Sequence, residues 1–148
     1  METTRHYTAT TIIVYNQKVL LHLHKKLNTW LPVGGHIERD ELPTTAALRE
    51  VKEESGLDVE IYDPDINMDL SDARQLTRPA HILLEDIQPG HQHIDLVFYA
   101  RSDTDQLCIP EDEQKNYHWY SAEELEASTF LLDNVRVLCL DALNCIYC

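Results

Sequence analysis

Glu50, Glu53 and Glu54 stand close together in the stretch GGHIERDELPTTAALREVKEESGL, residues 34–57, of a chain whose net charge is already −14. On a helix, at 100° per residue, the three side chains fall within an arc of about 100°. Like charges at i,i+4 weaken a helix by roughly 0.2–0.5 kcal/mol, so the crowding calls for a compensating reason. Oxygen donors brought together in this way suit hard cations such as Mg²⁺ or Mn²⁺. Such ions cancel the self-repulsion, bridge to phosphate oxygens and acidify bound water, so that hydroxide attacks phosphorus near neutral pH. Arg49, four residues before Glu53, is placed to hold that carboxylate in one orientation. The bland alternative is a solvated acidic face.

Other chemistry-bearing groups are more scattered. His91-x-His93 precedes Asp95 on an alternating segment, which puts all three on one face of a strand. A transition-metal site, a polar pocket wall and an exposed edge all fit that pattern. His22 and His24 share a face in the same way. Trp30, Tyr117, Trp119 and Tyr120 are candidates for stacking on a nucleobase or for packing the core. Cys108, Cys139, Cys145 and Cys148 form no disulfide framework or zinc spacing, because Cys145-x-x-Cys148 has no second pair.

These groups need elements to position them. YTATTIIVYNQKVLLHLHKK reads as two strands about a turn near Asn16-Gln17, with Leu21 and Leu23 alternating against His22 and His24. The acidic helix starts near Pro43, a favoured first residue, and stops at Gly56, which can adopt the left-handed conformation. Leu48, Val51 and Ala47 lie beside the glutamates on the wheel and are expected to pack on a sheet. LDVEIY, AHILLED, HIDLVFYAR and YHWY read as further strands. Ser121 with Glu124 forms a capping-box pattern. A last helix fits NVRVLCLDALNCIY, with Val135, Leu138, Ala142 and Ile146 on its inner face. The order of elements implies a mixed sheet with helices packed on it.

At 148 residues, 43% hydrophobic and 26% charged, the chain fits one domain. No apolar run approaches the roughly 20 residues of a spanning helix, and METTRHYTAT lacks the apolar core of a signal peptide. A cytoplasmic protein without a membrane partner is expected. Asp and Glu number 26 against 12 Lys and Arg, which argues against binding a nucleic-acid backbone.

Gly35, five residues, Glu41, seven residues, then Arg49-Glu50-Val51-Lys52-Glu53-Glu54-Ser55-Gly56-Leu57 resembles the Nudix hydrolase signature, G-x5-E-x7-R-E-U-x-E-E-x-G-U, where U is bulky and aliphatic. The resemblance implies an α/β/α sandwich around a mixed sheet, with residues 1–148 as a single domain. It implies that Glu50, Glu53 and Glu54 bind Mg²⁺ or Mn²⁺, with a carbonyl from Gly34 or Gly35 beside them. It further implies that Arg49 orients a glutamate, Glu41 supports the site and Gly56 ends the helix. The implied reaction is hydrolysis of a pyrophosphate bond in a nucleoside diphosphate derivative by water attack on phosphorus, with Glu53, Glu54 and Arg49 in the catalytic set. By approximate alignment, Glu113 in PEDEQKNYHWY is the expected general base, with a plain surface loop as the alternative.

The marks of three Nudix subfamilies are absent: the downstream proline of ADP-ribose pyrophosphatases, the S-Q-P-W-P-F-P-x-S run of NADH pyrophosphatases, and the coenzyme A motif. Ordinary or oxidised (deoxy)nucleoside triphosphates remain as expected substrates, with nucleotide sugars open and Arg74, Arg78 or Lys115 as candidate phosphate contacts. No cysteine precedes Cys108, which disfavours the isomerase branch of the fold. A non-catalytic nucleotide sensor is the alternative reading. The resemblance leaves monomer and homodimer open.

Overall fold

Asn16 and Gln17 sit at φ +47° and +60°, and this pair turns β1 (Thr4–Tyr15) back into β2 (Lys18–His24). Two-residue turns with positive φ match the twist of the strands they join. The computed structural model describes residues 2–146. β3 (Thr29–Leu31) and β4 (Val33–His36) lead to α1 (Pro43–Ser55), then β5 (Val59–Ile61), β6 (His81–Gln88) and β7 (His91–Ser102). A 3₁₀ turn over Glu111–Asn116 precedes β8 (Tyr117–Ser121), α2 (Ala122–Ala127) and α3 (Asp133–Cys145).

The eight strands form one mixed sheet. β1 and β7 run parallel at its centre, in register from Thr4 with His91 to Val14 with Arg101. The other edge of β1 is divided. β2 pairs with its end, at Val14 with Val19, while β4 pairs with its first half, from Thr8 with His36 to Thr11 with Val33. β2 instead continues along β3 and β8. β7 is divided likewise between β5 and β6.

Alternation along the central strands decides what each face packs against. Ile12, Val14, Val97 and Tyr99 meet Leu125 of α2 and Val135, Cys139 and Ala142 of α3. On the opposite face Ile13 and Leu20 meet Val51 of α1, and Ala9 and Phe98 meet Ala46 and Ala47. The result is the helix–sheet–helix sandwich expected from the sequence.

α1 starts with Pro43 at its N-terminus and ends at Gly56, φ +74°, whose N–H donates to the Lys52 carbonyl. Its buried stripe is Ala46, Ala47, Val51 and Ser55; Leu48, expected to pack on the sheet, is 41% exposed. Small residues take the inner positions and let the helix lie close to the strands. Ser55 belongs there because its hydroxyl donates to the Val51 carbonyl at 2.6 Å. In α3 the inner positions are Val135, Cys139 and Ala142, with Ile146 just past the end, and Leu138 is only partly buried. The Ser121–Glu124 capping box is formed in full.

No helix among the described residues is long and apolar enough to cross a bilayer. Cys108, Cys139 and Cys145 are free thiols, and burial pushes Cys139 up to about 12. Cys148, the second half of the terminal Cys-x-x-Cys, lies outside the described residues.

Candidate active site

Arg49 is the hub of the signature region. Its Nε and Nη2 donate to the two Glu41 oxygens, each at 2.7 Å, and Nη2 also reaches the His36 carbonyl at 3.0 Å. Nη1 donates to Glu50 Oε1 at 2.9 Å, and to Glu53 Oε2 at 3.4 Å. Arg49 was expected to orient Glu53. The shorter bonds go to Glu41 and Glu50 instead, because the planar fork matches the Glu41 carboxylate with two parallel bonds. Glu41 also accepts from the Glu38 N–H at 3.0 Å. Arg49, then Glu38, hold its carboxyl down to about 2. Glu41 therefore ties the loop before α1 to the helix and fixes where Glu50 points.

The glycines of β4 are there for close approach. A Cβ on Gly35 would run into the Glu50 carboxylate, and one on Gly34 would come within 2.6 Å of the Ala9 carbonyl oxygen. β4 can thus lie over both the helix carboxylates and β1.

Glu54 carries an enclosed oxygen, Oε2, within the acidic set. Burial, then the charge of Glu50 and to a lesser degree that of Glu53, pushes its carboxyl up to about 8. Its Oε2 is buried and receives no hydrogen bond; His22 Nε2 approaches to 3.4 Å. Burial also holds the His22 imidazole below its ordinary value, which keeps it neutral. The Tyr117 ring stacks on His22, and its hydroxyl donates to the Glu54 carbonyl at 2.5 Å. The last turn of α1 is thereby fastened to β2 and β8. An oxygen-only donor set, mutually repelling and with one enclosed oxygen lacking a donor, fits a hard divalent cation.

A cavity of about 340 Å³ opens beside Glu54. Thr8 and Thr10 of β1, Asp95 and His93 of β7, and Glu85 of β6 line it, with Leu31, Pro32 and the α3 residues Val135 and Leu138 as apolar walls. Thr8 and Thr10 each donate to Asp95 Oδ1 at 2.9 Å. Burial raises Asp95 despite those bonds, and burial with Asp95 alongside raises Glu85. The chamber joins apolar walls to polar groups that can fix a ligand's orientation.

The sequence model of the NUDIX domain matches residues 4–139. The chain belongs to the Nudix hydrolase family. A NUDIX-family hydrolase from Clostridium perfringens is 42% identical, with a TM-score of 0.84 over 95% of this chain and 97% of that one. The MutT protein of Methanosarcina mazei Go1, 19% identical with a TM-score of 0.71 over 96% of this chain and 95% of that one, shares the fold. Over 49 residues, 30% of its length, this chain is 47% identical to the m7GpppN-mRNA hydrolase NUDT17 of Danio rerio. That match spans 16% of the length of the zebrafish protein.

In this Nudix chain the fold brings together Glu41, Arg49, Glu50, Glu53, Glu54, Gly34 and Gly35. Burial, then the charges of Glu54 and Glu113, raise the Tyr117 hydroxyl. Glu113 sits on the 3₁₀ turn, its carboxylate bonded to Lys25 at 3.1 Å and Asn116 at 3.2 Å, and those partners hold it below the usual range. Those partners must be released before Glu113 can serve as the general base expected from the sequence. Arg78 pairs with Asp65 at 2.7 Å, and neither Arg74, Arg78 nor Lys115 lines the cavity. Trp30 packs edge-on against the buried Tyr120, and Trp119 against Tyr15. Sequence reasoning did not single out Thr8, Thr10, Glu85 or His36. Their signal is register, Thr8 opposite both Asp95 and His36, and register appears only once the strands are paired.

Proposed function

We propose that residues 1–148 form a single domain that hydrolyses a pyrophosphate bond in a small nucleoside diphosphate derivative, with a (deoxy)nucleoside triphosphate as the favoured substrate. Nudix hydrolases act on nucleoside diphosphate derivatives in general and generally use divalent metals. The observation that carries the reading is Glu54, raised in pKa and with a donorless oxygen, set between two further carboxylates and an open cavity. Glu50, Glu53 and the outer oxygen of Glu54 would hold Mg²⁺ or Mn²⁺, with the backbone at Gly34–Gly35 alongside. The ion supplies positive charge to the phosphoryl oxygens and acidifies a water molecule.

The protein does the rest by position. Glu41 and Arg49 fix Glu50, and Tyr117 fixes the end of α1. In its ionised form, which a bound cation would favour, Glu54 would take the proton of the attacking water. His22 Nε2, 3.4 Å from Glu54 Oε2, holds that buried oxygen in place. The water oxygen bonds to phosphorus as the bridging P–O bond breaks, and the nucleotide and a phosphorylated remainder leave. The polar floor of Thr8, Thr10, Asp95 and Glu85 offers hydrogen bonds to the base or sugar.

Turnover of a panel of nucleoside triphosphates, nucleotide sugars and dinucleoside polyphosphates in H₂¹⁸O with Mg²⁺ tests this. The expected result is ¹⁸O in one phosphate product and at least about a hundredfold loss in Glu54→Gln. Unchanged turnover in Glu54→Gln overturns the assignment, as does nucleotide binding without any hydrolysis.

A further inference from the structure

Four of the eight histidines gather where β1, β4 and β7 meet. His6 and His93 are partners across the parallel β1–β7 ladder. His91, two residues before His93, shares its face. His36 comes from β4, opposite Thr8, two residues along from His6. Ring nitrogens of His6, His91 and His93 lie within 4.8 Å of one another. Ring centres are 4.7 Å apart for His6–His91, 5.1 Å for His91–His93, 5.0 Å for His36–His93 and 5.4 Å for His6–His36; His6–His93 is the long pair at 6.4 Å. A tetrahedral zinc with Zn–N bonds of about 2.0–2.1 Å places its imidazole centres about 5 Å apart. The His6–His91 and His91–His93 pairs therefore already stand close to that spacing, and His6 with His93 would have to draw closer.

The remaining histidines are differently engaged. His22 faces Glu54, His24 accepts from the Leu27 N–H, His81 bonds Asp141 and His118 bonds Glu124. Among the described residues, the four clustered rings have ring contacts with one another but no hydrogen bond or ion pair to another side chain. Their nitrogens are thus open to an added ligand. Paired strands fix the backbone at all four positions, which lowers the ordering cost of binding. Imidazole donors select Zn²⁺, Ni²⁺ or Cu²⁺, whereas the acidic helix, with oxygen donors, suits Mg²⁺ or Mn²⁺.

We propose that His6, His91 and His93 form a zinc-type transition-metal site, with His36 beside it, distinct from the carboxylates of α1. His36 and His93 also line the cavity, so an ion held there adds positive charge to the wall of a chamber otherwise floored by Asp95 and Glu85.

The test is titration of the untagged full chain with Zn²⁺ against a chromogenic chelator in millimolar Mg²⁺, together with visible spectra of the Co²⁺-loaded protein. The expected result is one Zn²⁺ per chain with sub-micromolar affinity, and Co²⁺ bands of a four-coordinate site. The double variant His6→Gln/His93→Gln should lose at least tenfold in affinity, while His118→Gln and Glu53→Gln should not. Should the double variant fail to fold, His91→Gln carries the comparison with the same expected loss. No Zn²⁺ bound at micromolar concentration overturns the proposal. Equal affinity in the cluster variants, or an equal loss in Glu53→Gln, overturns it too.

Discussion

Glu54 keeps a proton that an exposed glutamate would have released. Burial beside Glu50 moves its carboxyl from the usual 4.5 to about 8, and in the metal-free chain that shift weakens the fold on the alkaline side. Between those two values the folded chain holds a proton that the unfolded chain has lost. The stability present in acid is therefore given up as pH rises through the window. Relative to the wild type, metal-free Glu54→Gln should gain several degrees in melting temperature at pH 8 over its value at pH 5.5. Thermal melts in chelator across that range check it; an unchanged slope in the variant means Glu54 is not the group that titrates. The same residue shows how sequence and structure divide the information. Spacing alone places three carboxylates on one arc, but the surroundings of Glu54 depend on His22, Tyr117 and Gly34, residues supplied by other strands.

At the scale of elements, α1 was legible from end to end because its signals are local: Pro43 at the start, Gly56 at the stop, and a repeat of small or apolar residues between. The stop can be tested. Gly56 lies at φ +74°, and a Cβ there would come within 2.5 Å of the Cys108 Cβ and carbonyl oxygen. Gly56→Ala should lower stability by at least about 1–2 kcal/mol from the left-handed backbone alone, with the crowding at Cys108 adding to it. Urea denaturation midpoints at constant slope measure this; a change of less than about 0.5 kcal/mol would mean the backbone relaxes out of that conformation without loss. The strands were legible one by one, yet their pairing was not. The division of β1 between β2 and β4, which leaves room for the cavity, is a long-range outcome with no local sequence mark. Leu48 shows the opposite failure. Its place on the wheel reads as internal, but α1 lies so close to the sheet that two alanines, a valine and a serine hold the inner positions.

Over the whole molecule, a net charge of −14 works against any polyanionic ligand unless positive charge is supplied where that ligand binds. The two donor sets answer that need in different chemistry, oxygen on α1 and imidazole at the junction of β1, β4 and β7. The sandwich and the acidic helix followed from sequence. The cavity floor and the histidine cluster did not, since His6 and His93 are far apart along the chain and become neighbours only through the parallel β1–β7 ladder. The central claim is that the α1 carboxylates hold the hard cation. Anomalous diffraction from crystals soaked in Mn²⁺ and a non-hydrolysable nucleotide tests it most directly. The expected result is a manganese peak about 2–2.3 Å from oxygens of at least two of Glu50, Glu53 and Glu54, with the phosphates of the nucleotide alongside. Manganese bound elsewhere, with the α1 carboxylates bare and remote from the nucleotide, would contradict it.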